Sequence, residues 1–170
     1  LVGDYIHARF GSYLRTVEKK VGLPPGGLER AGIPVGRLEE DLDRVMEYES
    51  SSIGNLLTDL MRKDSGSDVA FQNKTGIRAN MSAGAVSWRD VYQVSPFGNT
   101  VVTMLLKGSD LRALVEHMLA APYRLLELSG ADFVCDPALP EGERVFELNV
   151  GGQPLDPAKM YKVATNNFLS

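Results

Sequence analysis

The sequence predicts a mixed-sheet α/β (α+β) domain with a helical arm in front of it. Three observations lead there. Helix-period and strand-period segments follow one another from about residue 32 onward, without a strict strand–helix–strand rhythm. A chain of 170 residues, 44% hydrophobic and 24% charged, is long enough to bury a core without disulfide or metal staples. A stretch rich in glycine and proline, Gly22 to Pro34, separates a first amphipathic segment from the rest.

Taken in order, residues 3–21 place Tyr5, Ile6, Phe10, Tyr13, Leu14 and Val17 near helical spacing. Gly22 stands at the C-terminal stop, and Pro24 and Pro25 block continuation. A boundary is expected within 22–32, giving an arm of residues 1–22 and a domain of residues 32–170. An ordinary loop inside one domain would have the same composition. Ser52 is the expected N-cap of a helix over Ile53–Lys63, whose Leu56, Leu57, Leu60 and Met61 share a face. Asp68–Asn73 reads as a short buried strand. Ser87-Trp-Arg-Asp90 has the form of a capping box with Asp in place of Glu, opening a helix to Val94. Thr100–Leu106, β-branched and apolar, is a strand, and Ser109 is expected to cap a helix over Asp110–Ala120. Strand character returns at 131–135, 143–150 and 160–165, with Gly151-Gly152 as a turn.

Charge and motif content exclude several functions. A net charge of −4 and no run of Lys or Arg argue against a nucleic-acid polymer as partner. A small anion needs only one or two placed arginines. The longest apolar runs are too short to span a membrane. Cys135 is the only cysteine, so no intramolecular disulfide can form; within Phe-Val-Cys-Asp it reads as a core residue of a strand. His7 and His117 are the only histidines, on separate helical segments, and His117 reads as an exposed helix residue. No HxxH, HExxH, DxH or paired-Asp motif accompanies them. GxSxG, Walker-type and Cys/His nucleophile arrangements are absent too. The chain itself therefore offers no catalytic residue and no metal ligand set. It begins at Leu1 rather than Met and stops at Ser170 directly after an expected strand, so it reads as a piece of a longer protein.

Two loops and one strand end carry ligand-binding groups. Asn73-Lys-Thr-Gly-Ile-Arg78 follows a strand end, where α/β sheets commonly bind ligands. Gly76 permits a tight backbone path, Asn73 offers an amide, and Arg78 a planar fork for phosphate or carboxylate. A turn with a surface arginine has the same sequence. In Ser95-Pro-Phe-Gly-Asn99, Phe97 sits between residues that fix the backbone and leave space beside the ring. An aromatic held this way either plugs a core or stacks on a nucleobase, worth roughly 1–3 kcal/mol per base. Phe168 places a second aromatic at a strand end, and spacing alone does not show that the two rings meet.

Several stretches in order then resemble one family. They are Ser-Ile-Gly-Asn-Leu-Leu-Thr-Asp (52–59), Asn-Lys-Thr-Gly-Ile-Arg (73–78), Gly-Ala-Val-Ser-Trp-Arg-Asp-Val-Tyr-Gln-Val-Ser-Pro-Phe-Gly-Asn-Thr (84–100), Leu-Lys-Gly-Ser-Asp-Leu (106–111), Ser-Gly (129–130) and Pro-Leu-Asp-Pro-Ala-Lys-Met-Tyr-Lys-Val-Ala-Thr-Asn-Asn-Phe-Leu (154–169). Together they resemble the C-terminal, substrate-binding domain of the metal-dependent 5′-nucleotidases, UDP-sugar hydrolases and 2′,3′-cyclic phosphodiesterases. The resemblance implies a mixed-sheet fold of that kind, with residues 1–22 as a linker helix from an N-terminal metallophosphoesterase domain. That other domain would hold two divalent metal ions; this chain would hold none. It would recognise a nucleotide or nucleoside for a periplasmic, secreted or cell-surface phosphohydrolase, and would be inactive alone. A noncatalytic ligand-binding or adhesion module on the same fold is the alternative. Residue by residue, the resemblance implies that Phe97 and Phe168 stack on the base and that Asn73, Gly76 and Arg78 form the substrate loop, with Arg78 near the phosphate. Asn99 matches a position that some members use on the base.

The match departs from the family in three places. Lys74 and Thr75 replace two glycines of the family's loop, and their side chains are expected to narrow the pocket or alter its path. Glu47 stands where many members have a second substrate arginine; the nearest arginine is Arg44, and the role is not carried over. The glycine-rich loop that follows the second aromatic, with its aspartate, lies beyond Ser170.

Overall fold

The computed structural model describes residues 34–120 and 125–170, so the expected arm over 3–21 and the boundary at 22–32 lie outside the described residues. Its centre is a four-stranded mixed sheet in the order β4 (Val101–Lys107), β9 (Met160–Asn166), β2 (Val69–Asn73), β5 (Leu126–Ser129). β2 and β9 run parallel, with Val69 opposite Val163 and Ala70 opposite Ala164, while both outer pairs are antiparallel. The parallel pair is covered on both faces, so Val69, Ala70, Val163 and Ala164 are all buried and read as continuous apolar runs.

Alternation along the strands divides the two faces. One face brings Val69, Phe71, Tyr161 and Val163 against Leu111, Val115 and Met118 of α3 (Gly108–Met118) and against Val145 and Leu148 of β7 (Val145–Val150). β7 is the middle strand of a second, antiparallel sheet between β6 (Ala131–Cys135) and β8 (Gln153–Pro154). The opposite face receives α1 (Ser52–Ser65), which packs on β2, β5 and β9. The far side of α1 buries Ile53 and Leu57 in a second core with Ile77, Met81, Val86, Trp88, Val91 and Val94. That core is closed by the antiparallel pair β1 (Pro34–Leu38) and β3 (Gly84–Ser87) and by α2 (Trp88–Val94).

Helix ends show where local reading succeeds and where it fails. α2 opens with the expected box: Ser87 N–H donates to Asp90 Oδ2 at 2.7 Å, and Asp90 N–H to Ser87 Oγ at 3.4 Å. The cap of α1 is Ser51, not Ser52. Ser51 Oγ accepts from Gly54 N–H at 3.1 Å, while Ser52 lies in the first turn and accepts from Asp43 N–H at 2.8 Å. Three consecutive serines (Ser50 to Ser52) leave the cap's register undetermined by sequence. Ser109 does not cap α3 either. The helix starts at Gly108, its N-cap Lys107 supplies no side-chain bond, and Gly108 and Ser109 donate their N–H groups to the carbonyls of Lys159 and Pro157. A Cβ at Gly108 would stand 2.1 Å from Asp156 O, so only glycine lets that loop close over the helix end. β1, β3, β5 and β8 have no counterpart in the sequence reading, and the expected strand over 143–150 begins at Val145.

Candidate ligand-binding cleft

At the C-terminal end of β2 the chain turns through a 3₁₀ segment, Lys74–Gly76, closed by Ile77 N–H to Lys74 O at 3.0 Å. Gly76 gives room to the amides beside it: a Cβ would lie 2.7 Å from Gln72 Nε2 and 2.8 Å from Asn73 Oδ1, and both would have to move. Arg78 N–H then donates to Val94 O at 2.8 Å, tying this loop to the end of α2 and so to the turn that carries Phe97. That turn is completed by Gly98 at a φ of +66°. A second tie joins the start of β4 to the turn after β9. Thr100 N–H donates to Asn167 Oδ1 at 2.8 Å, and Asn167 N–H to Thr100 O at 2.9 Å. These two ties draw three distant segments to one place.

The result is a cleft of about 220 Å³ lined by Asn73, Thr75, Gly76, Arg78, Phe97, Asn99 and Phe168. All six residues singled out from the sequence therefore face one cavity, with Thr75 beside them. Neither aromatic plugs a core: Phe97 is 54% and Phe168 71% exposed. The Arg78 guanidinium carbon lies 6.0 Å from the centroid of the Phe97 ring, and Nη1 donates to Thr75 O at 3.2 Å. Behind Phe168 lies a second hollow of about 300 Å³, floored by Phe71, Leu114, Met118 and Leu126, with His117 at its edge. His117 is exposed, its Nδ1 lying 3.5 Å from Glu141 Oε1.

Lys74 does not narrow the cleft. Its side chain turns away and is buried, and its three N–H donors go to Val45 O (3.0 Å), Glu49 O (2.6 Å) and Glu127 Oε1 (2.8 Å). Glu127 also accepts from the Ser51 N–H at 3.1 Å and from the Ser51 hydroxyl, placing its charge at the N-terminus of α1. A Cβ at Gly54 would stand 2.2 Å from that carboxyl group, so glycine at this position admits it. Arg44 supports the same loop from behind, Nη1 donating to Ile77 O at 2.8 Å. Glu47 is exposed.

The sequence reading missed Gln72, Asn166, Lys74 and Glu127 as the supports of this cleft. Asn166 is buried and bonds both Gln72 and Asn73. Its only signal was its place two residues before Phe168.

Among the described residues no three His, Cys, Asp or Glu side chains converge on a point where they could hold a metal. Cys135 is half-buried against the core that holds Val145 and Leu148; burial, then the charges of Asp136 and Glu116, push its thiol pKa up, which favours the protonated form. No helix among the described residues is long and apolar enough to cross a membrane.

Comparison with known proteins supplies the family. The model of the 5′-nucleotidase C-terminal domain matches residues 34–170. Protein UshA of Yersinia enterocolitica is 35% identical over 141 residues, 82% of this chain and 25% of that protein. The apyrase of Tabanus yao is 32% identical over 74% of this chain and 24% of its own length. The chain thus spans about a quarter of these relatives. The crystal structure of a 5′-nucleotidase precursor from Thermus thermophilus superimposes with a TM-score of 0.77 at 33% identity, over 92% of this chain and 32% of that one. With that fold, and with the family's model matching residues 34–170, the chain belongs to the 5′-nucleotidase C-terminal domain family.

Proposed function

We propose that this domain recognises the nucleotide for a phosphohydrolase whose bond-breaking groups lie outside the described residues. Phe97 and Phe168 clamp the base, Asn73 and Asn99 contact it or the sugar, and Arg78 holds the negative charge of the phosphate. Gly76 lets the Asn73 amide approach. Its contribution to catalysis is positioning, worth several kcal/mol when a reactant is held in a reactive geometry, and it supplies no nucleophile. The parent protein acts in nucleotide catabolism in the periplasm, in the extracellular medium or at the cell surface, with an N-terminal metal-dependent domain as the partner of this one.

One observation carries the reading: two phenylalanines, both more than half exposed, and one arginine converge on a cleft of base-like size. A noncatalytic binding module would use the same cleft, and Glu47, exposed at the position where the resemblance implies a second substrate arginine, is what favours it. Titrating the 170-residue chain with AMP tests the proposal. AMP should bind without phosphate release, and Phe97→Ala should weaken binding at least about fivefold, from the loss of roughly 1–3 kcal/mol of stacking. Metal-dependent turnover by this chain, or unchanged binding by the variant, would overturn it.

A further inference from the structure

The hydrogen bonds around the cleft have a direction that is set from the backbone outward. Phe168 and Leu169 donate their N–H groups to Asn166 Oδ1 at 3.0 and 3.1 Å. A backbone N–H can only donate, so the amide of Asn166 must turn Nδ2 to its other side. There it donates to Gln72 Oε1 at 2.8 Å and to Asn73 Oδ1 at 3.0 Å. Gln72 Nε2 brings a second donor to Asn73 Oδ1 at 3.1 Å. Asn73 is thereby locked with Nδ2 toward Thr75, donating to Thr75 Oγ1 at 3.0 Å. The Thr75 hydroxyl is left as a donor, and no acceptor for it is present among the described residues.

The same reasoning applies to the rest of this wall. Asn73 Oδ1 already takes two donors, Thr75 Oγ1 takes Asn73, and Thr75 O takes Arg78. The hydrogens that remain free to donate are those of the Thr75 hydroxyl, the second on Asn73 Nδ2 and the rest of the Arg78 fork. Thr75 adjoins Arg78 in the cleft, because Arg78 Nη1 bonds its carbonyl, and it borders the hollow behind Phe168 as well.

We infer that Thr75 is a specificity-determining residue whose hydroxyl donates to an acceptor oxygen in the sugar-phosphate part of the ligand. This rests on the cleft being the nucleotide site. The wall favours ligands that present oxygen lone pairs to it. A glycine at this position would leave the Asn73 amide without this acceptor.

The test is a titration of the 170-residue chain with adenine, adenosine and AMP, followed by amide chemical shifts, for wild type, Thr75→Val, Thr75→Ser and Phe97→Ala. Thr75→Val keeps the side-chain shape and removes the hydroxyl; it should weaken AMP binding about three- to tenfold, the loss of one hydrogen bond, and leave adenine unchanged. Thr75→Ser should retain wild-type affinity. An equal loss on adenosine and AMP assigns a sugar oxygen, and a loss on AMP alone assigns a phosphate oxygen. No loss with any ligand, or an equal loss on all three including adenine, overturns the inference, the latter because it would mark a purely structural role. If wild type binds none of the three, or Phe97→Ala changes none of them, the nucleotide reading of the cleft itself falls.

Discussion

Two carboxylates are buried among the described residues, and they are held in opposite ways. Glu127, 1% exposed, lies behind the cleft and takes a cation, Lys74, together with the backbone and hydroxyl of Ser51. Glu116, 4% exposed on α3, takes the backbone N–H groups of Gly142 (3.0 Å), Arg144 (3.2 Å) and Val145 (2.8 Å). At the cleft the brace is one side chain, which a single substitution removes. Away from the cleft it is main chain, which every sequence with this fold supplies. The cleft loop is therefore the part whose support is written at one position. The Lys74 ammonium reaches Val45 O and Glu49 O as well, so it ties the cleft loop, β5 and the segment before α1 at one atom.

The largest expected effect follows from removing that atom. Lys74→Met leaves Glu127 charged, buried and without its cation, and strips two carbonyls of their donor. Breaking a buried pair from one side costs about 3–5 kcal/mol, read from urea unfolding. Lys74→Met combined with Glu127→Met removes both charges and should regain most of the loss, since buried pairs replaced by apolar residues are often neutral. A single-variant loss below about 1 kcal/mol would make the pair equivalent to a surface ion pair and dissolve the contrast.

Glu116 gives the next effect and a pH signature. Burial by itself would raise its pKa, but the N–H bonds from Val145, Gly142 and Arg144, then the charge of Arg112, outweigh burial and hold it below the ordinary value of 4.5. A group depressed in the folded state contributes stability that is complete above its unfolded value and fades as pH falls through the folded one. Glu116→Gln replaces one acceptor oxygen by a donor that faces backbone N–H groups, at about 1–3 kcal/mol near neutral pH. The gap between wild type and variant, followed by urea midpoints, should shrink as pH drops below 4.5. A gap independent of pH would mean that the ionised carboxylate is not what those N–H groups hold.

The same contrast explains what was legible in the sequence. β2, β4, β9 and α1 were readable because their apolar residues carry their own period, and the capping box of α2 is local to four residues. β5 was not, because Leu-Glu-Leu-Ser hides a buried charge whose partner is 53 residues away, and no local pattern announces that a glutamate will be neutralised. The start of α3 was misread for a related reason, since carbonyls of Pro157 and Lys159 do what Ser109 was expected to do. The six cleft residues were each legible through the family's motifs. Their convergence was not, because it rests on backbone ties such as Arg78 to Val94 and Thr100 to Asn167, which leave no mark in side-chain identity. Lys74 was misplaced because a lysine in a loop is ordinarily solvated, and only the tertiary structure supplies three acceptors for its buried head.

The smallest effect is the sharpest test of the comparison. Among the described residues Arg112 is the cation that bears on Glu116, and it comes last among the influences on that carboxyl, after burial and the three N–H bonds. Its guanidinium is also committed to a carbonyl, donating to Val145 O, so it acts on the strand as well as on the charge. Arg112→Met should therefore cost about 0.5–1.5 kcal/mol, the net worth of that hydrogen bond, and leave the acid dependence of stability nearly intact. Glu116→Gln flattens that dependence and Arg112→Met does not, if the main chain is what holds the carboxylate. Should Arg112→Met flatten it equally, Glu116 would be held by a cation as Glu127 is, and the two ends of the domain would differ only in which residue supplies the charge.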